Sequence, residues 1–248
     1  MSGHSHFATI KRAKEAKDAQ KGKAFSKHGR AISIAVKTGG GPDPDANFKL
    51  RMAIEAARAD NLPKENIERA ITKASTEAAN LEEFTYEGFG PYGVSVIVEV
   101  ATDNRNRTAQ ELKNIFERGG GNMGGPGSVA YNFESKGMIR IQKNSDVSAQ
   151  ILDLIDVGVE DYEETPDEII IYTPYDKTAQ IRDKIAGKNF TVNSAQAIKK
   201  AVNSINIDDP DKVKKVFSFI EKMEEYEDVQ NVYTNMDISD EIMDKVEV

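Results

Sequence analysis

The residues whose chemistry stands out most clearly are basic and lie near the beginning of the sequence. Residues 1–37 contain nine lysine or arginine side chains but only two acidic ones, although the whole chain has a formal net charge of −8. Residues 206–248 contain five basic and thirteen acidic side chains. A basic segment on an acidic protein is typical of an arm that neutralises phosphates. We therefore predict nucleic-acid contacts by Lys11, Arg12, Lys14, Lys17, Lys21, Lys23, Lys27 and Arg30.

A solvated, lysine-rich helix face would have the same composition, so this alternative stays open at this point. Between Lys11 and Lys23 the apolar side chains are all alanines, which are too small to dock firmly on a core. This half of the predicted helix is therefore expected to project into solvent or against a partner.

A second group of basic residues lies in residues 102–108, with the sequence Thr-Asp-Asn-Arg-Asn-Arg-Thr. Asp103 or Asn104 can cap the helix that follows. Arg105 and Arg107 would then stand at the helix N-terminus, where backbone N–H groups favour an anion. The same residues could instead form only a cap and local ion pairs, and the sequence leaves both interpretations open.

Residues 119–127 form a glycine-rich segment that resembles a phosphate-binding loop only in its glycine content. It precedes a predicted strand, and it lacks the Gly-Lys-Ser/Thr ending that opens a helix in such loops. Nucleotide hydrolysis is therefore not supported, and a loop that contacts RNA or protein is the better interpretation.

The sequence favours a protein without catalysis, cofactor or metal. It has no cysteine and three histidines, and His4 and His6 are better interpreted as part of a polar arm than as metal ligands. No Gly-Xaa-Ser-Xaa-Gly nucleophile motif is present. The lack of cysteine, of long apolar runs and of a signal peptide predicts a cytoplasmic protein with no membrane partner and no small-molecule substrate.

The elements that would position these residues begin with helices. The composition predicts a helix over residues 9–36, and apolar spacings of three and four residues predict two more, one capped by Asp45 and one starting at Pro63. The period then changes to two between Val94 and Val100, which predicts a hairpin with residues 84–89. A helix over residues 104–118 and a strand over residues 128–133 should follow.

The remaining pattern predicts two more groups of strands and helices. Residues 134–202 have the order βαββαβ, with helices capped by Asp146 and Asp176, which is the ferredoxin-like pattern. Asp209 and Pro210 then open a helix that precedes a strand over residues 229–234. The fold class is therefore α+β. We divide the chain into a helical domain (1–78), a discontinuous α/β domain (79–133 and 203–248) and an inserted domain (134–202).

Five segments in this order resemble the YebC/PmpR family: residues 3–5 (GHS), 61–70 (NLPKENIERA), 86–91 (YEGFGP), 102–108 (TDNRNRT) and 127–130 (GSVA). The resemblance covers essentially the whole chain. It differs at His6-Phe7, where the family usually has Lys-Trp, and at His28-Gly29, where the family commonly has Leu-Ile. The resemblance implies a helical N-terminal domain and two ferredoxin-like domains. It also implies a role in gene expression, as a DNA-binding transcriptional regulator or as a translational activator on ribosomes.

We therefore expect a non-enzymatic, nucleic-acid-binding regulator whose partner is DNA or ribosomal RNA, the latter in the context of the ribosome. The absence of a zinc-finger, zipper or RNA-recognition signature favours contacts with the nucleic-acid backbone. The alternative is a protein-interaction adapter that uses its acidic α/β domains to bind a basic partner.

Overall fold

The computed structural model describes residues 21–76, 81–159, 161–188 and 190–246. The helices are α1 (Lys21–Thr38), α2 (Phe48–Ala59), α3 (Lys64–Thr76), α4 (Arg105–Arg118), α5 (Val147–Asp156), α6 (Thr178–Gly187), α7 (Pro210–Glu224) and α8 (Asp240–Met243). The strands are β1 (Glu82–Phe89), β2 (Ser95–Thr102), β3 (Asn122–Met123), β4 (Phe133–Gln142), β5 (Asp161–Glu164), β6 (Glu168–Pro174), β7 (Val192–Ala201), β8 (Ile205–Asn206), β9 (Val229–Thr234) and β10 (Met236–Asp237).

These elements confirm the α+β class, with N-terminal helices followed by two sheet-containing parts. The chain separates into two compact units. The first takes in the chain up to Glu134 and again from Ala201 onward, and the second is Ser135–Lys200. The first unit thus contains both the helices α1–α3 and the first sheet. The division into three domains stays a prediction.

Helices α1–α3 pack around a small apolar core, as their spacing predicts. The buried residues of this core are Ile32, Ala35, Val36, Leu50, Ile54, Ala57, Leu62, Ile67 and Ala74. The predicted cap at Asp45 is wrong, because the buried Asn47 caps α2 by accepting from the Leu50 backbone N–H at 2.9 Å. The Asn47 amide also donates to the carbonyl oxygens of Ala35 and Gly41, which a carboxylate could not do.

The first sheet has the strand order β3-β1-β2-β9, and its two central strands form the predicted hairpin. Val94, Val96, Val98 and Val100 are all buried in one core. Helices α4 and α7 contribute to the same core, where the rings of Phe116 and Phe219 lie with centroids 5.5 Å apart. The hairpin therefore supports α4, and with it the Arg105–Arg107 segment.

The prediction of a strand over residues 128–133 is wrong. A short strand, β3, lies earlier, inside the glycine-rich segment, and residues 130–132 form a 3₁₀ turn. The reason is the buried Glu87 carboxylate of β1, which accepts the backbone N–H groups of Gly127, Val129 and Ala130. Backbone donors that bind this carboxylate are not available to a neighbouring strand.

The second unit has the order βαββαβ, and its strands are arranged β5-β6-β4-β7, with β6 antiparallel to both β4 and β5. This is the arrangement of a ferredoxin-like sheet. Asp146 caps α5 as predicted, by accepting from the Ala149 backbone N–H. The predicted cap at Asp176 is wrong, because a 3₁₀ turn over residues 175–177 leads directly into α6 and no side chain caps that helix.

Candidate nucleic-acid interface

The predicted basic residues fall into described and undescribed parts of the chain. The predictions for Lys11, Arg12, Lys14 and Lys17 lie outside the described residues. Lys21 and Lys23 belong to the first turn of α1, of which only the backbone is described. Lys27 is partly buried and already has an interaction partner. The described part of α1 is thus the continuation of the basic segment into the folded protein.

Arg30 connects α1 to the first sheet. Its guanidinium donates to the Ala101 carbonyl oxygen at 3.1 Å, at the end of β2. It also forms an ion pair with Asp228 and a second one, at 2.9 Å, with Glu227. Only 20% of the Arg30 side chain is exposed. The geometry therefore gives Arg30 a role in holding α1 against the end of β2 and the start of β9.

The Asp228 carboxylate accepts several hydrogen bonds at this contact. Its side chain is 3% exposed, and its second carboxylate oxygen accepts from the Arg107 guanidinium at 3.1 Å, the Thr108 hydroxyl at 2.7 Å and the Tyr226 hydroxyl at 3.1 Å. Burial alone would raise the pKa of Asp228, but the hydrogen bonds from Thr108, Arg30, Arg107 and Tyr226 outweigh it and lower the pKa to about 2. The carboxylate is therefore ionised at neutral pH.

The second predicted group lies at the start of α4. Asn104 is the N-cap, because its side chain accepts from the Arg107 backbone N–H at 3.1 Å. Arg107 is 49% exposed and pairs with Asp103 at 2.9 Å as well as with Asp228. The hydrogen bonds that Arg107 donates, chiefly the one to Asp228, raise the Arg107 pKa, so the side chain stays charged. The cap and the ion pairs are thus present, and anion binding by Arg107 stays a prediction.

Arg105 faces a different neighbour from Arg107. Its guanidinium carbon lies 4.9 Å from the centroid of the Phe84 ring, which is a cation–π distance. The Tyr86 hydroxyl donates to the Arg105 carbonyl oxygen at 3.3 Å. The side chain is exposed, and no acidic partner is described for it, so its positive charge faces solvent.

An open groove of about 1040 Å³ lies where α1 and α3 meet the start of α4 and the Tyr226–Asp228 segment. Its charged lining residues are Arg30, Arg69, Lys73, Arg107, Asp103, Glu111, Glu227 and Asp228. Four are basic and four are acidic, and the acidic Asp103, Glu227 and Asp228 are already paired with Arg30 or Arg107. These lining residues therefore give the groove no positive excess, whereas residues 1–37 of the sequence have nine basic and only two acidic side chains.

Three of the residues at this site were not identified from the sequence, namely Asp228, Tyr226 and Thr108. Asp228 stands in a run of acidic residues just before β9, and no local signal marks it among the thirteen acidic side chains of residues 206–248. Its partners Arg30 and Arg107 lie 198 and 121 residues away along the chain. Only the folded arrangement brings them together.

The described ranges contain no group of three or more histidine, cysteine, aspartate or glutamate side chains placed to hold a metal ion. No helix within the same ranges is long and apolar enough to cross a membrane.

Comparison with known proteins identifies the family. The model described as TACO1/YebC protein N-terminal domain matches residues 5–77, and the one described as TACO1/YebC second and third domain matches residues 81–236. A relative from Dictyoglomus turgidum, named probable transcriptional regulatory protein, is 45% identical over 247 residues, which cover 98% of each chain. A relative of the same name from Moorella thermoacetica is 43% identical over the full length of both chains.

A solved structure agrees with these sequence matches. The crystal structure of a conserved hypothetical protein from Aquifex aeolicus has a TM-score of 0.83 and 40% sequence identity, and the match covers 91% of this chain and 94% of that one. With matching family models over most of its length and full-length relatives above 40% identity, the chain belongs to the TACO1/YebC family.

Proposed function

We propose that the protein is a non-enzymatic, nucleic-acid-binding regulator of gene expression that contacts the phosphate backbone through its basic N-terminal segment. The observation that carries this proposal is that the segment runs into α1, and that α1 is fixed to the first sheet by Arg30 and the buried Asp228. Arg30 thus holds on the first sheet the helix that directly follows Lys11, Arg12, Lys14 and Lys17 in the sequence. Relatives named probable transcriptional regulatory protein support a regulatory role.

The phosphate contacts are assigned to the basic N-terminal segment and to the start of α4. We assign these contacts to Lys11, Arg12, Lys14, Lys17, Lys21, Lys23 and Lys27, with Arg105 and the exposed part of Arg107 as a second point. Arg30 instead anchors the helix, because its donors are already bound by Ala101, Glu227 and Asp228. The acidic remainder of the chain would repel phosphates and so direct binding to the basic segment.

We favour RNA on the ribosome over a specific DNA site as the target. Sequence-specific DNA readers place a helix or a β-ribbon with base-reading side chains in the major groove. The exposed basic groups of the first unit are instead suited to backbone contacts, which bind without reading sequence. A translation factor that associates with ribosomal RNA requires only such contacts and a surface whose shape matches the RNA.

Charge reversal tests the proposal directly. Lys11, Lys14 and Lys17 changed together to Glu should weaken binding to a mixed-sequence RNA strand and flatten its salt dependence. Because this variant can no longer neutralise about three phosphates, the slope of log K against log salt should fall by roughly 2. The matched control reverses three exposed lysines elsewhere, Lys177, Lys184 and Lys245, and makes the same change in net charge. Equal losses of affinity in both variants would contradict the proposal.

Sedimentation distinguishes the two regulatory roles. A ribosome-associated factor should co-migrate with ribosomes in a lysate gradient at low salt, and it should leave them at high salt and in the Lys11/Lys14/Lys17 variant. A transcriptional regulator should stay off ribosomes and shift particular DNA in preference to random duplex in a gel. Each role thus has a result that the other does not produce.

The adapter function is a second candidate, and one observation favours it. On α5 of the second unit, Leu152 and Ile155 are 67% and 56% exposed, and Asp153 and Asp156 stand beside them on the same helix. An apolar pair with acidic neighbours suits a partner that presents apolar and basic side chains. Leu152 and Ile155 changed to Ser should abolish binding of a protein partner and leave nucleic-acid binding unchanged. The Lys11/Lys14/Lys17 variant should do the reverse.

A further inference from the structure

Within the described residues of the first unit, the exposed large apolar side chains gather at one end of the sheet. They are Tyr131, Val202 and Tyr92, with 67%, 50% and 44% of their surfaces exposed. Tyr92 lies in the turn between β1 and β2. Asn132 follows Tyr131. Its side-chain amide donates to the Ser95 hydroxyl at 2.9 Å, and its backbone carbonyl oxygen accepts the Val202 backbone N–H at 2.8 Å. All three residues are therefore held around the start of β2.

This end of the sheet is the one opposite the Asp228 contact. Strands β2 and β9 are antiparallel, so Thr234 pairs with Val96 while Val229 pairs with Val100. Asp228 consequently lies at the far end of β2 from Tyr92. We refer to the β1–β2 turn (residues 90–93), the glycine-rich segment (119–127) and the 3₁₀ turn (130–132) together as the sheet tip.

The sheet tip has a fixed backbone. The Glu87 carboxylate accepts three backbone N–H groups at 2.7 to 2.8 Å, from Gly127, Val129 and Ala130, and so ties the end of the glycine-rich segment to β1. Gly121 packs so closely that a Cβ there would lie 2.3 Å from the Phe89 carbonyl oxygen. Tyr92 has a φ of 63°, a conformation that non-glycine residues rarely adopt. A strained backbone with an exposed aromatic side chain is a pattern found at functional sites.

A lysine ammonium group lies beside one of the sheet-tip tyrosines. The Lys212 ammonium is 5.6 Å from the centroid of the Tyr92 ring. Of the nearby acidic groups, Asp209 caps α7 and Asp208 accepts from the Asn206 amide at 2.6 Å, while Asp211 is exposed next to Lys212 in the sequence. Two exposed tyrosine rings with a lysine beside one of them suit a nucleotide, because its flat base can stack on a ring and its phosphate can pair with the lysine.

We propose that the sheet tip binds unpaired nucleotides of the target nucleic acid, with bases stacked on Tyr92 and Tyr131 and a phosphate near Lys212. The inference rests on the proposed nucleic-acid function and adds a second contact to it. Aromatic side chains that accept any base, next to a basic group, are the usual platform for single strands. Stacking is possible only where bases are unpaired, so the sheet tip favours a single strand or a loop over a duplex.

The test measures the affinity of the full chain for a mixed-sequence 20-nucleotide RNA strand and for the same sequence as a duplex. Tyr131→Ala removes one ring, and Tyr92→Gly removes the other while suiting the positive φ. Each change should weaken single-strand binding by about fivefold or more and leave duplex binding unchanged. Tyr131→Phe keeps the ring and should keep the affinity. Tyr175→Ala is the matched control, because Tyr175 is 59% exposed in the second unit.

A fluorescent version reports stacking directly. The chain contains no tryptophan, so Tyr131→Trp introduces a single reporter at the sheet tip. Its fluorescence should be quenched by the single strand, and Tyr92→Gly in the same chain should reduce the affinity seen by quenching. The losses of affinity caused by the two tyrosine variants should be similar at low and high salt, because stacking releases few counterions.

The outcomes separate this inference from the proposed function. If the tyrosine variants bind like the unmodified chain while the Lys11/Lys14/Lys17 variant does not, the sheet-tip proposal is wrong and the proposed function stands. If the unmodified chain binds neither form of RNA and no DNA, both are wrong. If RNA leaves the tryptophan unquenched but the tyrosine variants no longer co-sediment with ribosomes, the sheet tip contacts protein and the nucleotide proposal is overturned.

Discussion

Replacing Asp228 with Asn tests whether the buried carboxylate holds α1 on the first sheet. The two side chains have the same shape, but Asn has no charge for Arg30 and Arg107. The pKa of Asp228 is about 2 in the folded protein, against 3.8 for an unperturbed aspartate. A difference of almost two units corresponds to roughly 2.5 kcal/mol of stability at neutral pH. We therefore expect Asp228→Asn to lower the free energy of unfolding by about 2 to 3 kcal/mol at pH 7.

The stability that Asp228 contributes depends on pH. Because folding lowers the pKa of Asp228, its contribution is complete above about pH 5 and is lost as the pH falls through the folded value near 2. At pH 3 roughly half of the contribution should remain. The stability gap between the original chain and Asp228→Asn should therefore narrow to about 1 kcal/mol at pH 3.

Urea unfolding followed by circular dichroism, in a series from pH 7 to pH 3, measures this gap. Hydrogen exchange of β2 and β9 peptides assigns the loss of stability to the first unit, since two units need not unfold together. The control is Asp103→Asn, which removes an exposed partner of Arg107 and should change stability by less than about 0.5 kcal/mol. A gap that is equally small for both variants, or that is constant with pH, would refute the role given to Asp228.

Three further changes test other parts of the first unit. Glu87→Gln should destabilise it by about 1 to 3 kcal/mol and speed hydrogen exchange at Gly127, Val129 and Ala130, because an amide group cannot accept all three N–H donors. Burial would raise the Glu87 pKa, but the three backbone hydrogen bonds lower it, so the original chain should lose this advantage as the pH falls into the acid range. Gly29→Ala should raise the free energy of unfolding by about 0.5 to 1 kcal/mol, because alanine favours a helix and nothing lies within 4 Å of the added methyl group in α1. Gly121→Ala should cost about 1 to 3 kcal/mol by forcing Phe89 away, whereas Gly125→Ala, which meets nothing within 4 Å, should be nearly neutral in the same urea assay.

The sequence predicts those parts of the fold that depend on nearby residues. Composition and apolar spacing locate α1–α3 and the β1–β2 hairpin. Short-range chemistry identifies the caps Asp146 and Asp209, and it limits the α4 cap to Asp103 or Asn104, of which the structure shows Asn104. The cap predicted at Asp176 is wrong for a local reason, the 3₁₀ turn over residues 175–177, whereas the other two wrong predictions concern residues whose hydrogen bonds come from farther away. Asn47 replaces Asp45 because it also reaches Ala35, twelve residues back.

The same limit applies to the site and to the glycine-rich segment. Residues 128–133 have strand-like composition, but Glu87, about forty residues earlier, takes their backbone donors. Arg30 and Arg107 could be identified by their positive charge, which is a local property. Their common acceptor could not, because an acidic residue becomes a specific partner only through burial, and burial is decided by the packing of α1, α4 and β9 together.

Asp228→Asn also decides between the two roles open to Arg30. If Arg30 contacted phosphates, removing the negative charge beside it would free a cation, and RNA binding should become tighter and more salt-dependent. If Arg30 holds α1, the same substitution loosens the helix, and binding through the basic segment should weaken, as it should for Arg30→Met. The sheet tip lies at the other end of β2. A single RNA strand should therefore still quench a tryptophan at position 131 in both variants. Asp228→Asn also frees Arg107, so the decisive chain carries Arg107→Met as well. Tighter binding by Asp228→Asn that persists in that chain would overturn the anchoring role and return Arg30 to the phosphate contacts.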